Sequence, residues 1–186
     1  VQWGVTQVTH LFNAMDPLHH RAPGVVGAAL SLDALRCQLI ADNIHVHPAV
    51  LKLAVGAKGA DRIILVTDAM RGAGMPDGTY DLGGQSVTVY QGAARLADGT
   101  LAGSTLTLER GVRNIMAAAD LSLRDALNMA SSVPAQAMGL QERKGSIAVG
   151  KDADLIILND ELDVLLTMVA GEIVYRGPMF HGWHAA

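Results

Sequence analysis

One cysteine in 186 residues, Cys37, excludes an internal disulfide, and so sparing a use of thiols suits a reducing cytoplasm. Aromatics make up only 4% of the chain, no run of lysine and arginine interleaves with them, and the formal net charge is -4. A nucleic-acid binder needs a basic patch, so that class is excluded. Apolar stretches break at Asp, Arg or Gly well short of the roughly 18 residues a membrane span requires, and no signal-peptide pattern opens the chain. No membrane partner is expected. Repeats and low-complexity tracts are also missing. What the sequence has in plenty is apolar side chain, 50% of all residues, enough to build a sizeable core.

Three of the apolar runs end in the same way. Val5-Thr-Gln-Val-Thr-His10 stops at a histidine, Leu39-Ile-Ala-Asp42-Asn-Ile-His45 at an acid and a histidine, and Ile63-Ile-Leu-Val-Thr-Asp68 at an acid. The steps from His10 to Asp42 and from Asp42 to Asp68 are close to the roughly 30 residues of one strand-helix-strand unit, which predicts consecutive parallel strands. In barrels of alternating strand and helix the carboxyl ends of the strands build the active site. Any one of these residues alone is an ordinary polar strand end; three in register predict one chemical rim. The fold class expected is therefore α/β, the closing part of a TIM-like (β/α)8 barrel, because a complete barrel takes about 250 residues. The chain opens on Val1-Gln2-Trp3 without a methionine, and further sequence is expected upstream.

Between these strands, Pro23 to Leu30 and Pro48 to Gly56 are the crossover helices, with Pro48 suited to a first helical position. Beyond Asp68, Gly72, Gly74, Pro76 and Gly78 mark a loop. Gly83-Gly84 between Thr79–Leu82 and Gln85–Tyr90 then signals a two-residue hairpin, inserted near 78–92. Leu108, Val112, Ile115, Met116 and Ala119 recur at helical spacing and predict a helix over 105–119 with Ser104 as its cap. Ser122 and Asp125 form a capping box for a second helix. Met116, Met129 and Met138 read as core filler. From Gly145 the texture turns to strands, 153–158, 165–169 and 172–175, a small antiparallel sheet. The expected organisation is a barrel portion over 1–140, strands of a small β-sandwich over 141–178, and a tail over 179–186 whose His181 and His184 form a candidate metal clip.

Five segments, Thr9-His10-Leu-Phe-Asn13-Ala14-Met15, Arg21-Ala-Pro-Gly24, Ile40-Ala-Asp42-Asn-Ile-His45-Val46, Leu65-Val-Thr-Asp68-Ala69 and Leu101-Ala102-Gly103-Ser-Thr-Leu-Thr107, together resemble the N-acetylglucosamine-6-phosphate deacetylases. Gly145 to Asp154 is similar to the return into the small sheet domain across the wider amidohydrolase superfamily. The resemblance runs from about Val5 to Gly177 and corresponds to the carboxyl-terminal half of a family member. It implies that His10 ligates a divalent metal, zinc or iron, and that Asp68 transfers protons beside the hydrolytic water. It also implies substrate contacts at Asn13, Ala14, Arg21, Asp42, His45, Leu101, Ala102 and Gly103, with Arg21 and His45 facing the phosphate. In the family the arginine reaches the neighbouring subunit's site, so a homodimer is implied, with a small sugar phosphate as the other partner.

The chemistry suits these residue types. A divalent ion lowers the pKa of water from 15.7 to about 7, and a carboxylate beside it takes a proton that the poorly leaving amine must later receive. A guanidinium fork matches phosphate oxygens. Taken alone, Arg21 reads as a solvated surface charge and His45 as a packed loop histidine. His19, His20 and His47 match no family role and read as surface. The family's other ligands, a Glu and a second His, and the His that polarises the acetyl carbonyl belong to earlier strands, so this chain by itself is expected to be inactive. Two alternatives stay open: an amidohydrolase acting on a cyclic amide, and a non-catalytic sugar-phosphate-binding module.

Overall fold

The computed structural model describes residues 2–178 and residue 180; the His181/His184 pair lies outside them. Three strands, β1 (Gln7–Val8), β2 (Arg36–Leu39) and β3 (Ile63–Leu65), form one parallel sheet in the order β1-β2-β3. Pairing continues past the strand ends, with Leu11 N–H donating to Gln38 O (2.8 Å) and Val66 N–H to Leu39 O (3.0 Å). Cys37, Leu39, Ile63, Ile64 and Leu65 are buried. Strands covered on both faces read as unbroken apolar runs, as β3 does; β2 alternates instead, burying Cys37 and Leu39 and leaving Arg36 and Gln38 half-buried.

The crossovers are α1 (Gly24–Ser31) and α2 (Pro48–Lys58), as their sequences predict. His47 caps α2, its Nδ1 accepting from the Ala49 N–H at 3.2 Å, and Gly59 at φ 81° ends it in a conformation that a Cβ would strain. Lys58 is buried, and its ammonium donates to Leu32 O at the carboxyl end of α1, where the helix dipole favours a cation. Cys37 is buried; burial pushes its thiol up from the usual range, against a smaller lowering by the Lys58 charge.

The hairpin forms as predicted, β4 (Gly78–Leu82) pairing with β5 (Gln85–Tyr90) across Gly83 and Gly84, both at positive φ. A third strand, β6 (Ala93–Arg95), extends it. That strand hangs on a second tight turn, Gln91-Gly92, again with both residues at positive φ. Gln91 lacks the Asn or Asp signature that announces such a turn. Met70, Val87, Val89 and Ala94 give this small sheet a core of its own.

Helix α3 (Leu108–Ala119) starts later than expected, and its N-cap is Thr107 rather than Ser104. Residues before it are extended because Ser104 pairs with Ala69 in a parallel bridge. Helix α4 (Leu123–Ala130) carries the capping box, Ser122 Oγ accepting from the Asp125 N–H at 3.1 Å. The short α5 (Ser132–Ala137) follows, too brief and too irregular to show a period in the sequence. Met129 is buried, but Met138 is 67% exposed, which overturns its reading as core filler: it follows the last turn of α5.

Strands β7 (Leu155–Leu158), β8 (Val164–Val169) and β9 (Glu172–Arg176) form the antiparallel sheet expected near the carboxyl end. Leu162 anchors it in the main core, while Ile156, Ile173, Val174 and Tyr175 stay exposed. Among the described residues no helix is long and apolar enough to cross a membrane.

Candidate active site

Each strand of the parallel sheet delivers a polar residue to the same edge. His10 lies two residues beyond β1, Asp42 three beyond β2 and Asp68 three beyond β3. All three therefore occupy the carboxyl rim. With β2 between the outer strands, the backbones bearing His10 and Asp68 are two strand spacings apart, roughly 10 Å. Among the described residues, five of the nine non-glycine residues with positive φ, His10, Phe12, Ala14, Asn43 and Asp68, fall in these rim loops. Backbone strain of this kind collects where function imposes it, so the rim is the site to read.

His10 opens a turn in which the Asn13 N–H donates to His10 O at 2.9 Å, and the Asn13 amide donates to His10 O (3.2 Å) and Leu11 O (3.3 Å). Asn13 thus holds the histidine's backbone. His10 Nδ1 is buried and has no hydrogen-bond partner. A buried ring nitrogen left unpaired is costly, and a cation is one group that would satisfy it. Among the described residues, however, no three His, Cys, Asp or Glu side chains stand close enough together to hold a metal. His10 fits as one ligand of an incomplete set.

Asp42 and His45 form a closed unit. Asp42 Oδ1 accepts from the Ile44 and His45 N–H groups at 2.9 and 2.8 Å, and His45 Nδ1 donates to Oδ2 at 2.6 Å. Both side chains are buried. The carboxylate is committed to its own loop, and it fixes His45 with the proton on Nδ1, leaving Nε2 as the nitrogen for any ligand. Burial pushes the Asp42 carboxyl upward, but the side-chain bond from His45, the two backbone bonds and the His45 charge together outweigh it, and the net direction is down. A depressed carboxyl stabilises the fold above its unfolded pKa, about 3.9, and that contribution is lost as the pH falls through the native value. We therefore expect the melting temperature of the native chain to fall more steeply below about pH 4 than that of Asp42→Asn; parallel acid limbs would contradict this.

Asp68 is exposed at φ 51°, and the segment after β6 is fastened beside it. The Ser104 N–H donates to Asp68 O at 2.8 Å, and the Met70 N–H to Ser104 O at 2.9 Å. Ala102 is tied in turn to Ala94 O at 3.0 Å. Leu101, Ala102 and Gly103 are thereby brought against Asp68 from a distant part of the sequence. Gly103 is required there: at φ 66°, a Cβ would come within 3.0 Å of Met70 Cβ and 3.2 Å of Asp68 O.

Arg21 stands apart from this cluster. It lies exposed on a turn closed by the His19–Ala22 bridge, its N–H donating to His19 Nδ1 (3.2 Å) and its Nη1 to His20 Nε2 (2.8 Å). Arginine only donates, so in this contact His20 Nε2 is the acceptor. The two imidazoles stack at 4.5 Å between centroids. Among the described residues no hydrogen bond or ion pair links Arg21 to the rim. Sequence reasoning gave Ser104 a capping role and missed its place beside Asp68; only the preceding glycine hinted at a close approach.

Residues 1–174 match the Amidohydrolase family. The chain is 49% identical over 172 residues to N-acetylglucosamine-6-phosphate deacetylase of Bacillus subtilis (strain 168), covering 92% of this chain and 43% of that protein. A putative N-acetylgalactosamine-6-phosphate deacetylase of Escherichia coli (strain K12) is 42% identical over 164 residues, 88% of this chain and 98% of that protein. The crystal structure of N-acetylglucosamine-6-phosphate deacetylase from Thermotoga maritima superimposes with a TM-score of 0.90 at 40% identity, covering 95% of this chain and 48% of that one. The chain thus spans less than half of the Bacillus relative's length.

Proposed function

The chain belongs to the amidohydrolase family, and we propose that it is the carboxyl-terminal portion of an enzyme that hydrolyses the acetamide of N-acetylglucosamine 6-phosphate to glucosamine 6-phosphate and acetate. The observation that carries this reading is the arrival of His10, its Nδ1 buried and unpaired, and of Asp68 on one rim of a parallel sheet. On this reading residues 1–140 close a (β/α)8 barrel, residues 78–92 are inserted into it, and residues 141–178 contribute strands to a small β-sandwich. The exposed apolar residues of β7 and β9 support a further covering layer there.

Amidohydrolases are in general dependent on a divalent metal, and His10 would supply one ligand for zinc or iron. Bound, such an ion would bring the pKa of water down to about 7 and so supply the nucleophile. Asp68 takes the proton from the attacking water and returns it to the amine nitrogen as the carbon-nitrogen bond breaks. Asn13, Ala14 and the Leu101–Gly103 segment line the sugar, His45 offers Nε2 to the phosphate, and Arg21 clamps it, in a homodimer, from the neighbouring subunit. The exposed position of Arg21, away from its own rim, supports that assignment.

Acetate release by the full-length protein from N-acetylglucosamine 6-phosphate tests the proposal; absence of turnover with zinc and iron supplied overturns it. Arg21→Ala separates a sugar-phosphate site from a cyclic-amide one. Charge-assisted hydrogen bonds are worth roughly 1.5–3 kcal/mol, so KM for the phosphorylated sugar should rise about 10- to 100-fold while that for N-acetylglucosamine barely moves. Equal effects on both would favour the cyclic-amide reading. The other reading, a non-catalytic sugar-phosphate-binding module, is set aside by acetate release in the same assay.

A further inference from the structure

We infer that Ser104 is a positioning residue that holds Asp68 in the conformation proton transfer requires; the inference rests on the proposed role of Asp68. Ser104 is 1% exposed, yet it carries four polar bonds. Its N–H donates to Asp68 O (2.8 Å) and its carbonyl accepts from the Met70 N–H (2.9 Å). Its hydroxyl donates to Thr67 O and accepts from the Leu106 N–H (3.0 Å). Three of the four therefore grip the backbone at residues 67, 68 and 70.

What they grip is strained. Asp68 sits at φ 51°, a left-handed conformation that a residue with a Cβ avoids unless its surroundings impose it. The parallel bridge between Ala69 and Ser104 imposes it from one side, and the bare Cα of Gly103 lets the two segments approach closely enough for the bridge to form. Ser104→Ala keeps the backbone bonds of the bridge, but Thr67 O, on the peptide unit that joins Asp68, and the Leu106 N–H lose the hydroxyl that fastens them. The turn then relaxes toward ordinary backbone angles and carries the carboxylate with it. Displacements of about 1 Å in a reacting group can cost on the order of 10² in rate. The N-cap position of α3 is Thr107, three residues past Ser104, so the Ser104 hydroxyl is not spent on a helix cap.

The test is a double-mutant cycle in the full-length protein with N-acetylglucosamine 6-phosphate as substrate. Ser104→Ala should lower kcat about 10- to 100-fold with KM within about twofold, and Ser104→Thr, which keeps the hydroxyl, should recover part of the loss. In an Asp68→Asn background the same Ser104→Ala change should cost less than about threefold, because the group it serves is already disabled. An unchanged kcat in Ser104→Ala, or an equal loss in both backgrounds, overturns the inference. A native kcat in Asp68→Asn is a different result: it overturns the proton-transfer role of Asp68, and with it the premise. Should Ser104→Ala fail to fold, Ser104→Cys, of similar shape but weaker as donor and acceptor, is judged by the same outcomes.

Discussion

Asp68→Asn in the full-length protein is expected to lower kcat for N-acetylglucosamine 6-phosphate by roughly 10² to 10⁴, the contribution of a positioned general acid and base. Asparagine is the variant of choice because of the backbone. Asp68 sits at φ 51°, and Asn tolerates the left-handed region better than other residues with a side chain, so the loop of the native chain is preserved. The comparison then isolates the ability to take up and release a proton. Asp68→Ala adds about 1–2 kcal/mol of backbone strain and mixes the two effects. Steady-state kinetics on both variants, with KM recorded beside kcat, checks this. A loss confined to KM would place Asp68 in binding rather than in chemistry.

The 186-residue chain by itself, supplied with zinc and N-acetylglucosamine 6-phosphate, is expected to release no acetate. A catalytic zinc site takes three protein ligands and an open position. Among the described residues no three His, Cys, Asp or Glu side chains gather, and His10 stands as a single candidate with one unpaired nitrogen. Calorimetry should accordingly detect no tight zinc binding to the isolated chain, and His10→Ala should change that result little. Measurable turnover would contradict the division of labour proposed here. Sugar-phosphate binding by a full-length protein that also releases no acetate would favour the binding module instead.

Much of this architecture was legible locally. Gly83-Gly84 specifies a two-residue turn because both positions need positive φ, and Ser122 with Asp125 caps α4 because three residues bring a hydroxyl to an orphan N–H. Burial on both faces makes β3 read as an apolar run, and the polar residues just beyond β2 and β3 mark the rim. The Gln91-Gly92 turn stayed hidden because glutamine enters the left-handed region without advertising it. Asp42 illustrates a subtler limit. Its motif marks a polar strand end, yet nothing in the letters tells that both carboxylate oxygens are spent on His45 and the Ile44 N–H.

From the chain of letters alone came the candidate residues, through a resemblance, and the strands that carry them, since periodicity, caps and tight turns act over only a few positions. The tertiary structure decided the side-by-side order β1-β2-β3, the bridge that brings Ser104 to Asp68, and the separation of Arg21 from the rim. Ser104 and the Thr67 carbonyl it bonds lie 37 residues apart. A partner at that distance is chosen by which surfaces pack together, and no local pattern encodes that choice.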